Sequence, residues 1–152
     1  MQEIERKFLV LKNQFRPSGK GIKIRQGYLS IDSEKVVRVR VAGEKGFLTI
    51  KGKMEGITRT ELEYEIPKNE TEIMLKMCLD KLVEKVRYIE IYEGMIWEVD
   101  VFEKDNDGLY VAEIELKSED QSFKIPQWVV EEVTYDKRYY NSWLSRYPFN
   151  TW

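Results

Sequence analysis

The chain has 152 residues, with 25 Lys plus Arg against 27 Asp plus Glu, for a formal net charge of −2. It has no histidine and a single cysteine, Cys78, which excludes histidine bases, histidine-ligated zinc, disulfide frameworks and thiolate metal clusters. The balance of charge argues against a nucleic-acid or anionic-membrane binder, and no apolar run approaches the roughly 20 residues of a membrane-spanning helix.

The size fits one domain, residues 1–152. The opening MQEIERKFLV is acidic where a secretion signal would be basic, so a reducing cytoplasm is the expected location. Period-two runs broken by Gly, Asp, Asn or Pro then predict eight strands. They are Glu3–Val10, Ile22–Ile31, Lys35–Val41, Gly46–Lys53, Arg59–Ile66, Leu82–Tyr92, Met95–Phe102 and Tyr110–Lys117. Glu93-Gly94 predicts a tight hairpin between the sixth and seventh. A helix is expected over 69–82, with Asn69 as cap, Glu72 in capping-box register, and Cys78 inside it as a core residue. A short helix is expected within Asp136 to Ser145, carrying Tyr139, Tyr140, Trp143 and Leu144.

The polar faces of these strands are nearly all charged, and within most strands one sign dominates. Glu3, Glu5 and Lys7 share a face of the first strand, Arg38 and Arg40 of the third, and Lys51 and Lys53 of the fourth. Arg59, Glu61, Glu63 and Glu65 lie on the fifth, Lys85 and Arg87 on the sixth, Glu98 and Asp100 on the seventh, and Glu113 and Glu115 on the eighth. Two architectures stay open at this point. One is a sheet or sandwich with its charged face in water. The other is an eight-stranded barrel with the charges inside, where space suffices for one small ligand. A sheet selected for solubility would gain from mixing signs. A lumen of ions is kept only for a ligand, because desolvated charges cost several kcal/mol each unless paired. Bases suit a polyanion and acids suit its metal ions, which together describe a metal-bound polyphosphate. In such a barrel the apolar faces point outward, and the 69–82 helix and the C-terminal segment are expected to cover them. The four tryptophans either complete that cover or form a homodimer interface.

Glu3-Ile4-Glu5-Arg6-Lys7 resembles the ExExK signature of the CYTH superfamily, the triphosphate tunnel metalloenzymes. It is followed in order by RVR (38–40), TIKGK (49–53), RTELE (59–63), EKVRY (84–88), WEVDVF (97–102), AEIELKSED (112–120) and EEVTYDKRYYN (131–141). The ordered set covers nearly the whole chain and is most similar to short bacterial inorganic triphosphatases. The resemblance implies an α+β, mainly antiparallel fold: an eight-stranded tunnel with a charged interior and helices packed outside. It implies hydrolysis of inorganic triphosphate with Mg²⁺ or Mn²⁺, on a small-molecule substrate and without nucleic acid or membrane. Thiamine or nucleoside triphosphates, another CYTH activity, or binding without turnover remain alternatives. The His-Phe pair that precedes ExExK in class IV adenylyl cyclases has no counterpart here. Carried over by position, Glu3, Glu5, Glu113 and Glu115 hold metal. Lys7, Arg38, Arg40, Lys51, Lys53, Lys85 and Arg87 bind phosphate. Glu98 and Asp100 are further tunnel acids. Lys7, Tyr28, Glu61 and Glu63 are the residues assigned to the chemistry.

Overall fold

A computed structural model describes residues 1–152. Its nine strands are β1 (Gln2–Val10), β2 (Ile22–Ile31), β3 (Lys35–Ala42), β4 (Lys45–Gly52), β5 (Thr58–Ile66), β6 (Leu79–Tyr92), β7 (Met95–Phe102), β8 (Tyr110–Glu115) and β9 (Val129–Glu132). Two helices accompany them, α1 (Lys68–Leu75) and α2 (Asn141–Arg146). The strand order is β5-β4-β3-β2-β6-β7-β8-β1, every neighbouring pair is antiparallel, and β5 returns to β1 to close an eight-stranded barrel. Closure rests on a short ladder in which Gln2, Glu3 and Ile4 face Thr60, Arg59 and Thr58. The same edge of β1 then leaves β5 and takes β9, with Phe8 opposite Glu132 and Val10 opposite Val129. This ninth strand has no counterpart in the period-two reading, because four residues are too few to show alternation. No helix is long and apolar enough to cross a membrane.

The charged faces point inward. The apolar outer face of β1, β7 and β8 is therefore covered by the chain itself. Phe8, Trp97, Val99, Ala112 and Ile114 pack with Phe15 from the segment after β1 and with Phe123 and Trp128 from the segment after β8. The Trp97 ring lies 5.5 Å from Phe8, 5.8 Å from Phe123 and 5.9 Å from Trp128. Trp97 and Trp128 thus belong to the chain's own core, whereas Trp143 and Trp152 stay 39% and 45% exposed.

Helix α1 covers the outside of β3, with Leu75 against Val39 and Val41. It is shorter than expected and begins differently. Pro67, not Asn69, occupies the cap, and no side chain caps the helix. It ends at Leu75, so Cys78 lies in the turn after the helix rather than inside it. Leu79 to Leu82 had read as helical, but they open β6 and pair with β2, Tyr28 opposite Leu79. Partner strands decided the matter, since a short apolar run serves either period. Cys78 donates to the Met74 carbonyl, and burial pushes its thiol up to about 11, which fits a packing role. A Cβ on Gly27 would lie 2.7 Å from Cys78 Sγ, so only glycine admits this approach. The Glu93-Gly94 turn forms as expected, both residues at positive φ, joining Tyr92 to Met95.

The C-terminal segment forms a 3₁₀ turn over Lys137–Tyr139 and then α2. It does not lie on the outer wall. Leu144 is fully buried among Val83, Phe102, Leu109 and Val111. Val83 shares the face of Lys85 and Val111 that of Glu113, so α2 packs into the barrel end where β6 begins. Leu144→Ala should lower unfolding free energy by about 2–5 kcal/mol, read by urea denaturation. A loss no larger than that of an exposed alanine substitution would remove Leu144 from the core of this end.

Candidate active site

Inside the barrel is a cavity of about 280 Å³. Strand order sorts its lining. β4, β3, β2 and β6 are contiguous and present Lys51, Arg38, Arg40, Tyr28, Lys85 and Arg87. β7, β8, β1 and β5 are contiguous on the other side and present Glu98, Glu113, Glu115, Glu3, Glu5, Glu61 and Glu63, with Lys7 and Arg59 among them. A mainly cationic wall therefore faces a mainly anionic one. In the sequence acidic β1 and β5 are separated by basic β3 and β4, and basic β6 separates β5 from acidic β7 and β8. Only the pairing order gathers them.

Two expected lining residues are not in the lumen wall. Lys53 follows the end of β4, is 62% exposed, and lies 3.9 Å from Glu34 outside. Asp100 keeps the lumenal face of β7 but is fully buried beneath the surface. It accepts from Lys85 Nζ at 2.7 Å and from Arg87 Nε at 2.7 Å. Asp100 is thus the base plate for two lumenal cations. Burial alone would raise its carboxyl, but Arg87 and Lys85 overcome that and hold it below the ordinary range. Burial also drags Lys85 down to about 7, with Asp100 opposing and the Arg87 and Arg40 charges assisting. Arg40 falls to about 9, chiefly by burial and by repulsion from Arg38 and Arg87. Arg40 Nε donates to Gln26 at 2.8 Å, and Gln26 in turn donates to the Tyr28 hydroxyl at 3.2 Å.

The two seams between the walls are zipped by ion pairs. At β4–β5, Lys51 lies 3.3 Å from Glu61 and 3.3 Å from Glu3, and Thr49 donates to Glu63 at 2.9 Å beside Arg38. At β6–β7, Arg87 lies 3.3 Å from Glu98. Burial opposes ionisation of Glu61, yet Lys51 and the hydrogen bond from Glu3 hold it below its usual value.

The acidic wall is under strain of its own. Burial and the neighbouring Glu113 charge push Glu5 well up, while Glu113 is held well down by Lys7, the Glu5 hydrogen bond and Arg87 against its own burial. Protonation of Glu5 is thus favoured and that of Glu113 disfavoured. Glu3 is raised by burial and by Glu61 and Glu113, with Lys51 opposing, and Glu115 by burial and by Glu3 and Glu61. Acids crowded in this way favour a positive charge beside them. An oxygen-only set of this kind suits a hard divalent cation, although no three of these carboxylates already converge on one point.

Several lumenal residues lie outside the expected set of site residues. Arg59 has the right parity on β5 and is set 3.8 Å from Glu3 by barrel closure. Its Nε, like that of Arg38, is buried without an acceptor, as a site built for an anion would leave it. Thr134, Tyr140, Asn141 and Ser142 line the cavity from the C-terminal segment. Lys7 does not pair with Glu3 or Glu5. Its Nζ donates to the Tyr139 carbonyl at 3.0 Å, and Lys85 Nζ donates to Asn141 at 3.0 Å. The motif over 131–141 resembles the family, but nothing in its period places these residues in the lumen, which only the fold reveals.

The arrangement can bind an extended polyanion against one wall and a hard cation against the other. A family model described as the CYTH domain matches residues 1–141. An inorganic triphosphatase of Acetivibrio thermocellus is 48% identical over 149 residues, 97% of this chain and 96% of that protein. One of Nitrosomonas europaea is 38% identical over 151 residues, 95% of this chain and 97% of that protein. A crystal structure of an inorganic triphosphatase matches with a TM-score of 0.67 at 38% identity, over 94% of this chain and 93% of that one.

Lys85 gives a pH test of this electrostatic picture. With its folded pKa at about 7 and an unfolded value of roughly 10.4, the unfolded state binds more protons between the two. Its contribution to stability therefore grows as pH rises across that window. Denaturation midpoints from pH 7 to 10, without metal or phosphate, should climb more in wild type than in Lys85→Met. Parallel profiles would mean that Lys85 is not depressed.

Proposed function

The chain belongs to the CYTH family, and on that premise we propose that it hydrolyses inorganic triphosphate to diphosphate and phosphate with a divalent cation bound in the tunnel. The observation that carries this reading is the pair of facing walls, mainly cationic and mainly anionic, inside a closed barrel. The relatives at 48% and 38% identity, both inorganic triphosphatases, support it.

Phosphoryl transfer needs positioning and charge stabilisation more than covalent chemistry. Arg38, Arg40, Lys51, Lys85 and Arg87 would lie along the three phosphates. The unpartnered Nε of Arg38 and of Arg59 would find acceptors there. An anion beside Lys85 would also favour its charged form, opposing the effect of burial. Glu3, Glu5 and Glu115, with Glu113 beside them, would hold Mg²⁺ or Mn²⁺. When bound, the ion supplies positive charge to the phosphate oxygens. Glu61, kept ionised by Lys51 and Glu3, or Glu63 would orient a water and take its proton as the water oxygen attacks the terminal phosphorus. The bridging P–O bond then breaks, and its electron pair leaves on diphosphate. Lys7 would steady charge at the reacting end, beside Glu113. Tyr28, fixed by Gln26 next to Arg40, would pack along the chain of phosphates. The substrate is small, and the cytoplasm, where metabolite phosphates and Mg²⁺ are at hand, is the expected setting.

Phosphate release from inorganic triphosphate, with Mg²⁺, with Mn²⁺ and with chelator, tests the reading directly. Metal-dependent release is expected, and none under any condition would overturn it. Glu5→Gln should abolish that turnover and lose the metal-induced rise in melting temperature while still folding. Wild-type rates would remove Glu5 from the metal site. Arg40→Ala should raise KM for triphosphate by about tenfold or more, since a charge-assisted contact is worth on the order of 1.5–3 kcal/mol. An unchanged KM would take Arg40 off the substrate.

A further inference from the structure

Lys7 stands at a gap in the barrel wall. On the edge of β1 away from β8, Ile4 is the last residue paired with β5 and Phe8 is the first paired with β9. The Lys7 amide falls between these ladders and donates to the Thr134 hydroxyl at 3.0 Å, while the Lys7 carbonyl accepts from the Val133 amide at 2.8 Å. A side chain thus satisfies an amide where strand pairing lapses. The direction of that contact is set from outside the tunnel. Thr134 has one hydroxyl proton, and it goes to the Glu132 carboxylate, the nearer and charged acceptor, and not to the Lys7 carbonyl at 3.4 Å. Its oxygen is then free to accept from Lys7. Glu132 is held in turn by Arg6, whose Nε donates to one carboxylate oxygen at 2.8 Å and whose Nη2 donates to the other at 2.6 Å. The Arg6 guanidinium lies 5.0 Å from the centre of the Phe123 ring, so the aromatic cover of the outer wall backs the fork.

Arg6 and Glu132 are partly exposed and do not line the cavity, whereas Thr134 and Lys7 do. An ion pair in contact with water adds little stability, but a bidentate one fixes direction. The segment that follows Thr134 also supplies the acceptor for the Lys7 ammonium, the Tyr139 carbonyl at 3.0 Å, and sets the Tyr140 ring 5.6 Å from it. Resting on the triphosphatase reading, we propose that Arg6 and Glu132 are positioning residues for turnover: from outside the tunnel they aim the Thr134 hydroxyl, and Thr134 fixes Lys7 so that its ammonium meets the charge that develops at the reacting phosphoryl group. A charge that acts by its placement loses effect when displaced by a fraction of its contact distance. Loosening the fork therefore costs rate, while the bases of the opposite wall keep the substrate bound.

The test uses the whole chain with Mg²⁺ and inorganic triphosphate. Glu132→Gln removes the charge that holds Arg6 and Thr134, and Thr134→Val cuts the relay beside Lys7. Each should lower kcat about tenfold or more, with KM within about twofold of wild type, and each should speed deuterium exchange at the Lys7 amide, read by NMR. Thr134→Ser, which returns the hydroxyl, should recover most of the kcat lost in Thr134→Val. In a Lys7→Met background either substitution should lower kcat no further. A full additional loss in that background, as general weakening of the fold would give, overturns the positioning role. So does an unchanged kcat in both relay variants, a rise in KM at constant kcat, a serine variant as slow as the valine one, or unchanged exchange at Lys7. If Glu132→Gln does not fold, Thr134→Val and its serine control carry the same cycle. Absence of turnover by wild type would overturn the triphosphatase reading and the rate role with it, and amide exchange, which needs no substrate, reads the relay separately.

Discussion

The ladder between β1 and β5 spans three residue pairs, Gln2, Glu3 and Ile4 against Thr60, Arg59 and Thr58, and it turns a sheet into a tunnel. Without it the charged face of every strand would stand in water, and the lining would be an ordinary solvated surface. With it, those charges are enclosed, and each must find a partner, a water or a ligand. Closure also brings the first strand beside the fifth, so that Glu3 meets Lys51, Glu61 and Arg59. The acidic wall is a product of that meeting.

Enclosure sets the energetics of the rest. Asp100 gives up all solvent to hold Lys85 and Arg87 upright, an arrangement that favours two cations at a fixed spacing over flexible ones. On the opposite wall, acids crowd until burial and the Glu113 charge push Glu5 well up. One wall is thus short of negative charge and the other short of positive charge. A triphosphate with its cation supplies both at once, and electrostatic preorganisation of this kind is the largest lever in phosphoryl transfer. The same inversion of polarity leaves an apolar exterior, which the chain covers with Phe15, Phe123 and Trp128 on one side and with α1 on another.

Much of this was legible in the sequence, for identifiable reasons. Period two is rigid in a strand, so the lumenal set from Glu3 to Glu115 could be read residue by residue. Glu93-Gly94 could be read because few dipeptides adopt two successive positive φ angles cheaply. The helix over 69–82 was misread at its end because Leu79 to Leu82 fit either period, and pairing with β2 chose strand. Lys53 has the right parity but lies past the last pair of β4 with β3, Gly52 opposite Lys35, where parity no longer specifies direction. Arg59 was on the correct face, and its importance came from closure. Tyr140 and Asn141 lie in a segment that resembles the family, but their place in the lumen could not be read, since an irregular segment carries no period.

By itself, then, the sequence determined which side chains share a face, because alternation is a local property of extended backbone. It also determined what chemistry those faces can do, because residue type is read directly and the absence of histidine left only carboxylates, bases and hydroxyls. The tertiary structure alone decided which faces look at one another. Strand order set the bases of β4, β3 and β6 on one side of the lumen and the acids of β7, β8, β1 and β5 on the other. It decided which charges are buried beneath the lining, as Asp100 is, and that Leu144 enters the barrel end instead of covering its wall. Those outcomes depend on contacts between residues far apart in sequence, which no local period encodes.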